Sequence, residues 1–218
     1  MIRKQRPRGS ITREAVVSAA LAIVDRDGVD KLTIRSVAKL VGAPPMSLYT
    51  HFTNKNELLD LMYAGVSHRM YEDQEHPTWQ EELRALCHRV RKILREHPNW
   101  APLLVRPGRP LAIKLRERVL RIMIADGIPE EEAFRGFSGV ALLAVGLTLV
   151  ELTFAGSDGR STLQQRFERL KEWSTTDGAV DHPVTRAAMA KMKNVFDESF
   201  DFTVHSVISG LELRRTEH

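Results

Sequence analysis

The chain has 218 residues, of which 43% are hydrophobic, 28% charged and 6% aromatic, as in ordinary globular proteins and unlike collagenous or disordered chains. Its single cysteine, Cys87, excludes an internal disulfide, so we expect a reducing compartment, the cytoplasm. The basic N-terminus lacks the apolar segment of a secretory signal, and the longest uncharged apolar run, 136–150, has 15 residues. A bilayer span needs roughly 20, so we expect no membrane association.

The net charge of +4 is unevenly distributed. Residues 1–55 contain ten Lys or Arg and four acidic residues, a net charge of +6, whereas the remaining 163 residues carry −2. A basic first quarter is typical of a polyanion-binding segment. The charge alone fits a solvated face with a disordered arm equally well.

The first part of the chain predicts four helices with recognisable ends. Thr12 is a good N-cap for the first helix, which Gly28 ends, and Thr33 caps a short second helix that Gly42 ends. Proline is tolerated in the first turn of a helix, so a third helix begins at Pro44 and Pro45 and runs to Phe52. Asn54 caps a fourth, from Lys55 to about Tyr71.

The rest of the chain also predicts helices. They cover residues 79–96, 109–125, 130–155, 183–194 and 195–213, with a short helix over 163–173 inside a polar connection. Residues 147–154 alternate like a strand, but they continue a run too long for one. The sequence therefore predicts an all-α fold.

Residues 34–51 match the requirements of a helix-turn-helix motif. Such a motif needs a small residue where its helices touch, which is Ala38, and a residue that tolerates positive φ at the turn, which is Gly42. Val37, Val41 and Leu48 supply apolar anchors that hold the second helix at a fixed angle. The alternative is a plain three-helix packing unit with an aromatic core at Tyr49 and Phe52.

The exposed side of the second helix carries the candidate DNA-contacting side chains. Those suited to phosphates are Ser47, Tyr49 and His51, and those suited to base edges and thymine methyls are Pro45, Met46 and Thr50. Arg35 is a candidate for guanine or phosphate, and Lys55 for phosphate.

Residues 32–59 resemble the DNA-binding region of TetR-family bacterial transcriptional regulators, above all at Leu48-Tyr49, His51-Phe52 and Asn54-Lys55. Residues 200–212 resemble the final helix of the tetracycline-repressor branch. The resemblance implies a dimer with a four-helix interface and a ligand cavity in each body. The positions that match the family's DNA contacts are Thr33, Arg35, Pro45, Met46, Ser47, Tyr49, His51 and Lys55. Val105 stands where tetracycline-binding members have a magnesium-binding His, so we do not expect a tetracycline–magnesium effector. We also expect no metal site and no cofactor.

The last helix supports a dimer independently of the resemblance. One stripe consists of Phe196, Phe200, Val204, Val207, Ile208 and Leu211, and a second of Phe202, Ser206, Ser209 and Leu213. Two such faces suit packing on two sides. Small residues at 136, 139, 141, 144 and 146 let helix 130–155 approach another helix closely. The alternative is an internal bundle helix.

An effector cavity has weaker support in the sequence. Its candidate lining residues are Tyr71, Leu86, Val90, Val105, Arg106, Arg109, Met123, Phe134 and Phe137. For each of them alone, ordinary core packing is the better explanation of the residue type.

We therefore interpret the chain as a cytoplasmic, dimeric, ligand-responsive repressor that a small molecule releases from a palindromic double-stranded operator. It comprises a basic arm at 1–9, a helix-turn-helix head at 10–57 and a helical regulatory and dimerisation domain at 58–218, in which 157–182 form a flexible connection. Catalytic motifs are not found, so we do not expect an enzyme. The alternatives are a constitutive or architectural DNA-binding protein without an effector, or an all-α interaction module or enzyme.

Overall fold

The computed structural model describes residues 11–70, 76–104, 113–155, 183–192 and 194–215, together with residues 165, 168, 169 and 172. Every regular element in these ranges is a helix, which confirms the all-α prediction. The chain divides into two compact units: Met1–Glu72 with His97–Ala112, and Asp73–Glu96 with Ile113–His218. The predicted basic arm at 1–9 and most of the predicted connection at 157–182 lie outside the described residues.

The first unit begins with two helices whose ends agree with the predicted caps. Helix α1 spans Arg13–Asp27, and the Thr12 side chain accepts a hydrogen bond from the backbone N–H of Ala15. A single 3₁₀ turn, Val29–Lys31, leads to α2 at Ile34–Val41. Thr33 caps α2 as predicted, so these boundaries are set by short-range hydrogen bonds.

Helix α3 spans only Pro45–Leu48, so the predicted extension to Phe52 is wrong. After Leu48 the chain closes tight i to i+3 turns, in which the His51 N–H donates to the Leu48 carbonyl at 2.9 Å. Helix α4 follows at Lys55–Met70, and the Asn54 side chain accepts from the Glu57 N–H at 3.0 Å, as a cap should. The described part of the unit ends with a 3₁₀ turn at Pro98–Trp100 and helix α6 at Ala101–Leu104, neither of which the sequence predicted.

An apolar core joins these elements. Its fully or almost fully buried side chains are Val16, Ala20, Val24, Leu32, Val37, Leu48, Phe52, Leu58, Met62 and Val66. The segment after residue 96 is attached to α1 through polar contacts: His97 Nδ1 lies 3.0 Å from Asp25 Oδ1, and the Asn99 amide donates to the Asp25 carbonyl. The His97 ring stacks on Trp100 with centroids 3.8 Å apart.

The second unit contains the longer helices. Helix α5 spans Trp79–Glu96 and α8 spans Glu130–Ala155, both with the predicted bounds, while α7 spans Ile113–Ala125. Helix α9 spans Pro183–Lys191, and α10 spans Val195–Glu212. Asn194 is the N-cap of α10 rather than the end of the preceding helix, because its side chain accepts from the Asp197 N–H.

Helix α8 lies at the centre of the second unit and packs against α5, α7 and α10. By length and composition it is the one described helix that could cross a membrane, but its buried residues face these neighbouring helices. The buried Cys87 belongs to this core, and burial raises the pKa of its thiol to about 12.

Candidate nucleic-acid interface

The turn between α2 and α3 is fixed by local chemistry. The Thr33 hydroxyl accepts from the Ser36 N–H at 3.0 Å, and the Ser36 hydroxyl accepts from the Thr33 N–H at 3.1 Å, a reciprocal capping box. At the other end of α2, Gly42 is left-handed with φ 75° and ψ 34°, a conformation that residues with a Cβ rarely adopt. Ala38 is 1% exposed, as a helix contact point requires.

Apolar anchors hold α3 against the rest of the unit. Val37 and Leu48 are fully buried, and Phe52 is 2% exposed. Pro44, just before α3, has φ −61°, the value that its ring imposes, and this pre-sets the entry into the helix. Helix α2 packs on both α1 and α3, so α3 is supported from behind and its opposite side faces solvent.

The predicted DNA-contacting residues are accessible on this surface, which we call the α3 face. Those that are exposed are Thr33, Arg35, Pro45, Met46, Tyr49, Thr50 and Lys55, while Ser47 and His51 are half-buried. Met46 is 76% exposed, the largest value among the large apolar side chains of the motif, and Tyr49 is 43% exposed. Whether these side chains contact DNA stays a prediction at this point.

Two of the predicted contact residues already have intramolecular hydrogen bonds. The Thr33 hydroxyl belongs to the capping box, and the Thr50 hydroxyl donates to the Ser47 carbonyl at 2.8 Å. Tyr49 lies against Phe52 with ring centroids 6.0 Å apart and a tilt of 49°, so part of its ring is anchored while its edge reaches solvent.

Cations line the same part of the molecule, and the acidic residue Glu57 is engaged in helix capping. Arg35, Lys39 and Lys55 are exposed. Hydrogen bonds from the Thr53 N–H and hydroxyl, at 2.6 and 2.7 Å, hold the pKa of Glu57 below its ordinary value. Its negative charge therefore stabilises the N-terminus of α4, and the exposed cations are available to bind a polyanion.

The predicted effector-cavity residues are only partly brought together. Leu86 and Val90 on α5, Met123 on α7 and Phe137 on α8 are all fully buried in the second unit. Phe134 is 49% exposed and lines an open groove of about 490 Å³ between α7 and α8. Tyr71, Val105, Arg106 and Arg109 lie outside the described residues.

Buried charges in the second unit are the residues that sequence reasoning missed. Glu82 is fully buried and pairs with Arg118 at 2.6 Å, while Arg91 Nε contacts Glu151 Oε2 at 2.8 Å. Asp197 lies 2.7 Å from Arg91; burial would raise its pKa, but the hydrogen bond from Arg95 and the nearby arginine charges hold it below the ordinary value. The sequence offered one sign of these buried charges: Glu151 is a single acidic residue that follows the uncharged run 136–150.

A second accessible surface, which we call the apolar stripe face, lies on α8 and α10. It combines apolar and small residues at helical spacing, all exposed except the half-buried Ser209: Gly139, Leu142, Gly146 and Val150 on α8, Phe202, Ser206 and Ser209 on α10, and Leu213 directly after α10. Phe202 is 73% exposed and Leu142 is 72% exposed. The inner stripe of α10 is buried instead, with Phe200, Val204 and Ile208 at most 2% exposed.

Within the described residues, no three His, Cys, Asp or Glu side chains are grouped as a metal site would require. The fold and the α3 face together define a helix-turn-helix DNA-binding protein with a larger helical domain. Two family descriptions match the chain: bacterial regulatory proteins of the tetR family over residues 16–62, and the tetracyclin repressor-like C-terminal domain over residues 72–215. The chain therefore belongs to the TetR family of transcriptional regulators.

Individual relatives agree with this assignment. The chain is 29% identical over 173 residues to an HTH-type transcriptional regulator of Saccharopolyspora erythraea, covering 78% of this chain and 73% of the relative. The TetR regulator SCO7222 of Streptomyces coelicolor has the same fold, with a TM-score of 0.79 and 22% identity over 95% of this chain and all of that one. ActR of Streptomyces coelicolor, solved in complex with actinorhodin, has a TM-score of 0.75 and 22% identity over 96% of this chain and all of that one.

Proposed function

We propose that the protein is a cytoplasmic, dimeric repressor that a small molecule releases from a near-palindromic operator. The observation that carries the proposal is the α3 face. It presents exposed side chains next to a glycine turn, on a helix held from behind by α2. This geometry suits insertion into the major groove of a duplex. The assignment of DNA binding to residues 10–57 and of regulation to residues 58–218 is part of the proposal.

The chemistry of the α3 face supports two kinds of DNA contact. Arg35 and Lys55 are exposed cations that can neutralise phosphates and release their counterions, which gives affinity without sequence preference. The side chains at the start of α3, Pro45, Met46 and Ser47, are placed to reach base edges. Tyr49 and His51 extend the same surface toward the phosphate backbone.

A dimer is supported by the apolar stripe face. Phe202, Leu142 and Leu213 leave large apolar surfaces in water, which a second copy of the chain would cover. A Cβ built on Gly139 or Gly146 meets no atom within 4 Å in the single chain, so these glycines leave space for close approach by a partner helix. In such a dimer, two α3 faces would read two half-sites.

Regulation by a small molecule is supported by the ActR structure with bound actinorhodin and by the residues of the second unit. The proposed cavity lies among the buried side chains that include Leu86, Val90, Met123 and Phe137. In the dimer, the distance between the two helix-turn-helix segments differs between the form that fits the operator and the form that does not. The effector lowers DNA affinity only to the extent that it binds the second form more tightly than the first. Helix α4, which follows the motif directly in the chain, is the proposed lever.

The proposal is tested by selecting duplexes from a random pool with the purified full-length chain. We expect a near-palindromic sequence to be enriched, and the logarithm of its affinity to fall linearly with the logarithm of salt concentration. Actinorhodin and a panel of other small molecules are then tested for operator release and for a rise in Tm. Equal affinity for selected and random duplexes at moderate ionic strength would overturn the proposal; selective binding that no compound weakens would favour a constitutive regulator.

A further inference from the structure

The centre of the α3 face is apolar and rigidly placed. Met46 is 76% exposed and its neighbour Pro45 is also exposed, both in the first turn of α3. The backbone beneath them is fixed by the Pro44 and Pro45 rings and by the fully buried Leu48. A large apolar side chain is therefore held in water at the point where a recognition helix meets base edges.

Several hydroxyl groups around this centre are already engaged within the chain, and the nearby cations lie at its margins. The Thr50 hydroxyl gives its one proton to the Ser47 carbonyl, and the Thr33 and Ser36 hydroxyls form the capping box. The cations Arg35 and Lys55 lie on α2 and at the start of α4, not on α3. The first two positions of α3 thus present no guanidinium, amide or carboxylate, the groups that read guanine, adenine and cytosine.

One base feature in the major groove is read by apolar contact: the 5-methyl group of thymine. The Met side chain is unbranched and polarizable, so it adapts to a small apolar partner at the end of its reach. We propose that Met46, supported by Pro45, recognises the 5-methyl group of one thymine in each operator half-site. This inference rests on the proposed operator binding and specifies which base feature the protein reads.

The test uses the selected operator and removes methyl groups alone. Each thymine of one half-site is replaced in turn by deoxyuridine, which keeps the Watson–Crick pair and lacks only the methyl group. Because burying one methyl group is worth about a four-fold change in affinity, we expect about four-fold weaker binding at one thymine and little change at the others. Replacement in both half-sites should give roughly the product of the two effects.

Protein variants assign the effect to Met46. Met46→Ala should bind the thymine and deoxyuridine operators equally, because the contact that distinguishes them is gone. Leu40→Ala removes another apolar side chain of the same motif, 53% exposed but on α2, and should keep the four-fold difference. Met46 makes little contact with the rest of the chain, so circular dichroism should show both variants folded. Met46→Gln, which introduces a polar side chain of similar length, is a second variant that should also lose the difference.

The outcomes separate the inference from the proposed function. Deoxyuridine substitutions that never change the wild-type affinity would overturn methyl recognition while operator binding stands. A four-fold difference that persists in Met46→Ala and Met46→Gln would also overturn it, since another side chain would then read the methyl group. Failure to select any duplex would instead remove the proposed function and this inference with it.

Discussion

At the scale of single residues, Tyr49 combines a structural and a proposed binding role. Its ring leans on Phe52, which is 2% exposed, while the residue itself remains 43% exposed. A tyrosine held in this way loses little side-chain entropy when its hydroxyl meets a phosphate, because the ring is already oriented. The hydroxyl and the ring can therefore be tested separately.

Replacing Tyr49 by Phe should weaken operator binding about ten-fold, because a hydrogen bond to a charged phosphate is lost. The loss should be similar for selected and random duplexes, since a phosphate contact carries no sequence information. Fluorescence anisotropy with both duplexes measures it. Thermal unfolding should be unchanged because the Phe52 contact is kept; wild-type affinity for both duplexes would remove the Tyr49 hydroxyl from the set of DNA contacts.

At the scale of elements, helix boundaries that depend on neighbouring residues are predictable from the sequence. Thr12, Thr33 and Asn54 cap their helices as expected, because an N-cap requires only a hydrogen bond to an N–H within three residues. The end of α3 was not predictable in the same way. Residues after Leu48 retain helical patterning, but the Thr50 hydroxyl and the His51 N–H close tighter turns there.

Contacts between residues that are far apart in the chain could not be predicted from the sequence. Arg91 and Glu151 pair although they are 60 residues apart, and nothing in either local sequence identifies the other. The proposed cavity has the same difficulty, since Leu86, Val90 and Met123 are ordinary core residues by type. The exposure of the residues on the α3 face follows from one short segment, 33–55, whose helix starts and turn are locally encoded, while their contact with DNA stays a prediction.

The close contact between helices α8 and α10 depends on a glycine, and a substitution there tests it. A Cβ built on Gly136 would lie 2.6 Å from Leu211 Cδ2, so the glycine allows the two helices to approach. Overpacking in Gly136→Ala should lower the free energy of unfolding by about 1–3 kcal/mol, offset in part by the roughly 1 kcal/mol by which alanine favours a helix over glycine, as measured by urea denaturation at fixed protein concentration.

The matched control for this variant is Gly210→Ala on the other helix of the pair. A Cβ at Gly210 meets no atom within 4 Å, and alanine favours a helix by up to about 1 kcal/mol over glycine. This variant should be as stable as the wild type or more so. A gain in stability for Gly136→Ala as large as that for Gly210→Ala would show that Leu211 moves aside without cost and that the close approach is not required.

At the scale of the whole molecule, the two accessible surfaces have complementary roles in the proposed mechanism. In this proposal the α3 face would contact one half-site, and the apolar stripe face would bind the partner that brings a second α3 face to the other half-site. Binding of the second half-site is then intramolecular, so dimerisation raises operator affinity without any new DNA contact. Loss of the dimer should therefore weaken DNA binding even when the α3 face is intact.

Ser209→Asp tests this dependence, because Ser209 lies half-buried on the apolar stripe face, between Ser206 and Leu213 along α10. A carboxylate placed opposite the same carboxylate of the second copy would be desolvated and repelled, so we expect monomers in sedimentation and at least about a hundred-fold weaker operator binding.

Ser209→Ala keeps a small neutral side chain at the same position and should remain dimeric with wild-type affinity. Helicity by circular dichroism should be equal in all three proteins, since the side chain faces away from the α10 core residues Val204 and Ile208. An Asp variant that sediments as a dimer would place the interface elsewhere, and a monomeric variant with undiminished operator affinity would show that a single α3 face is sufficient for recognition.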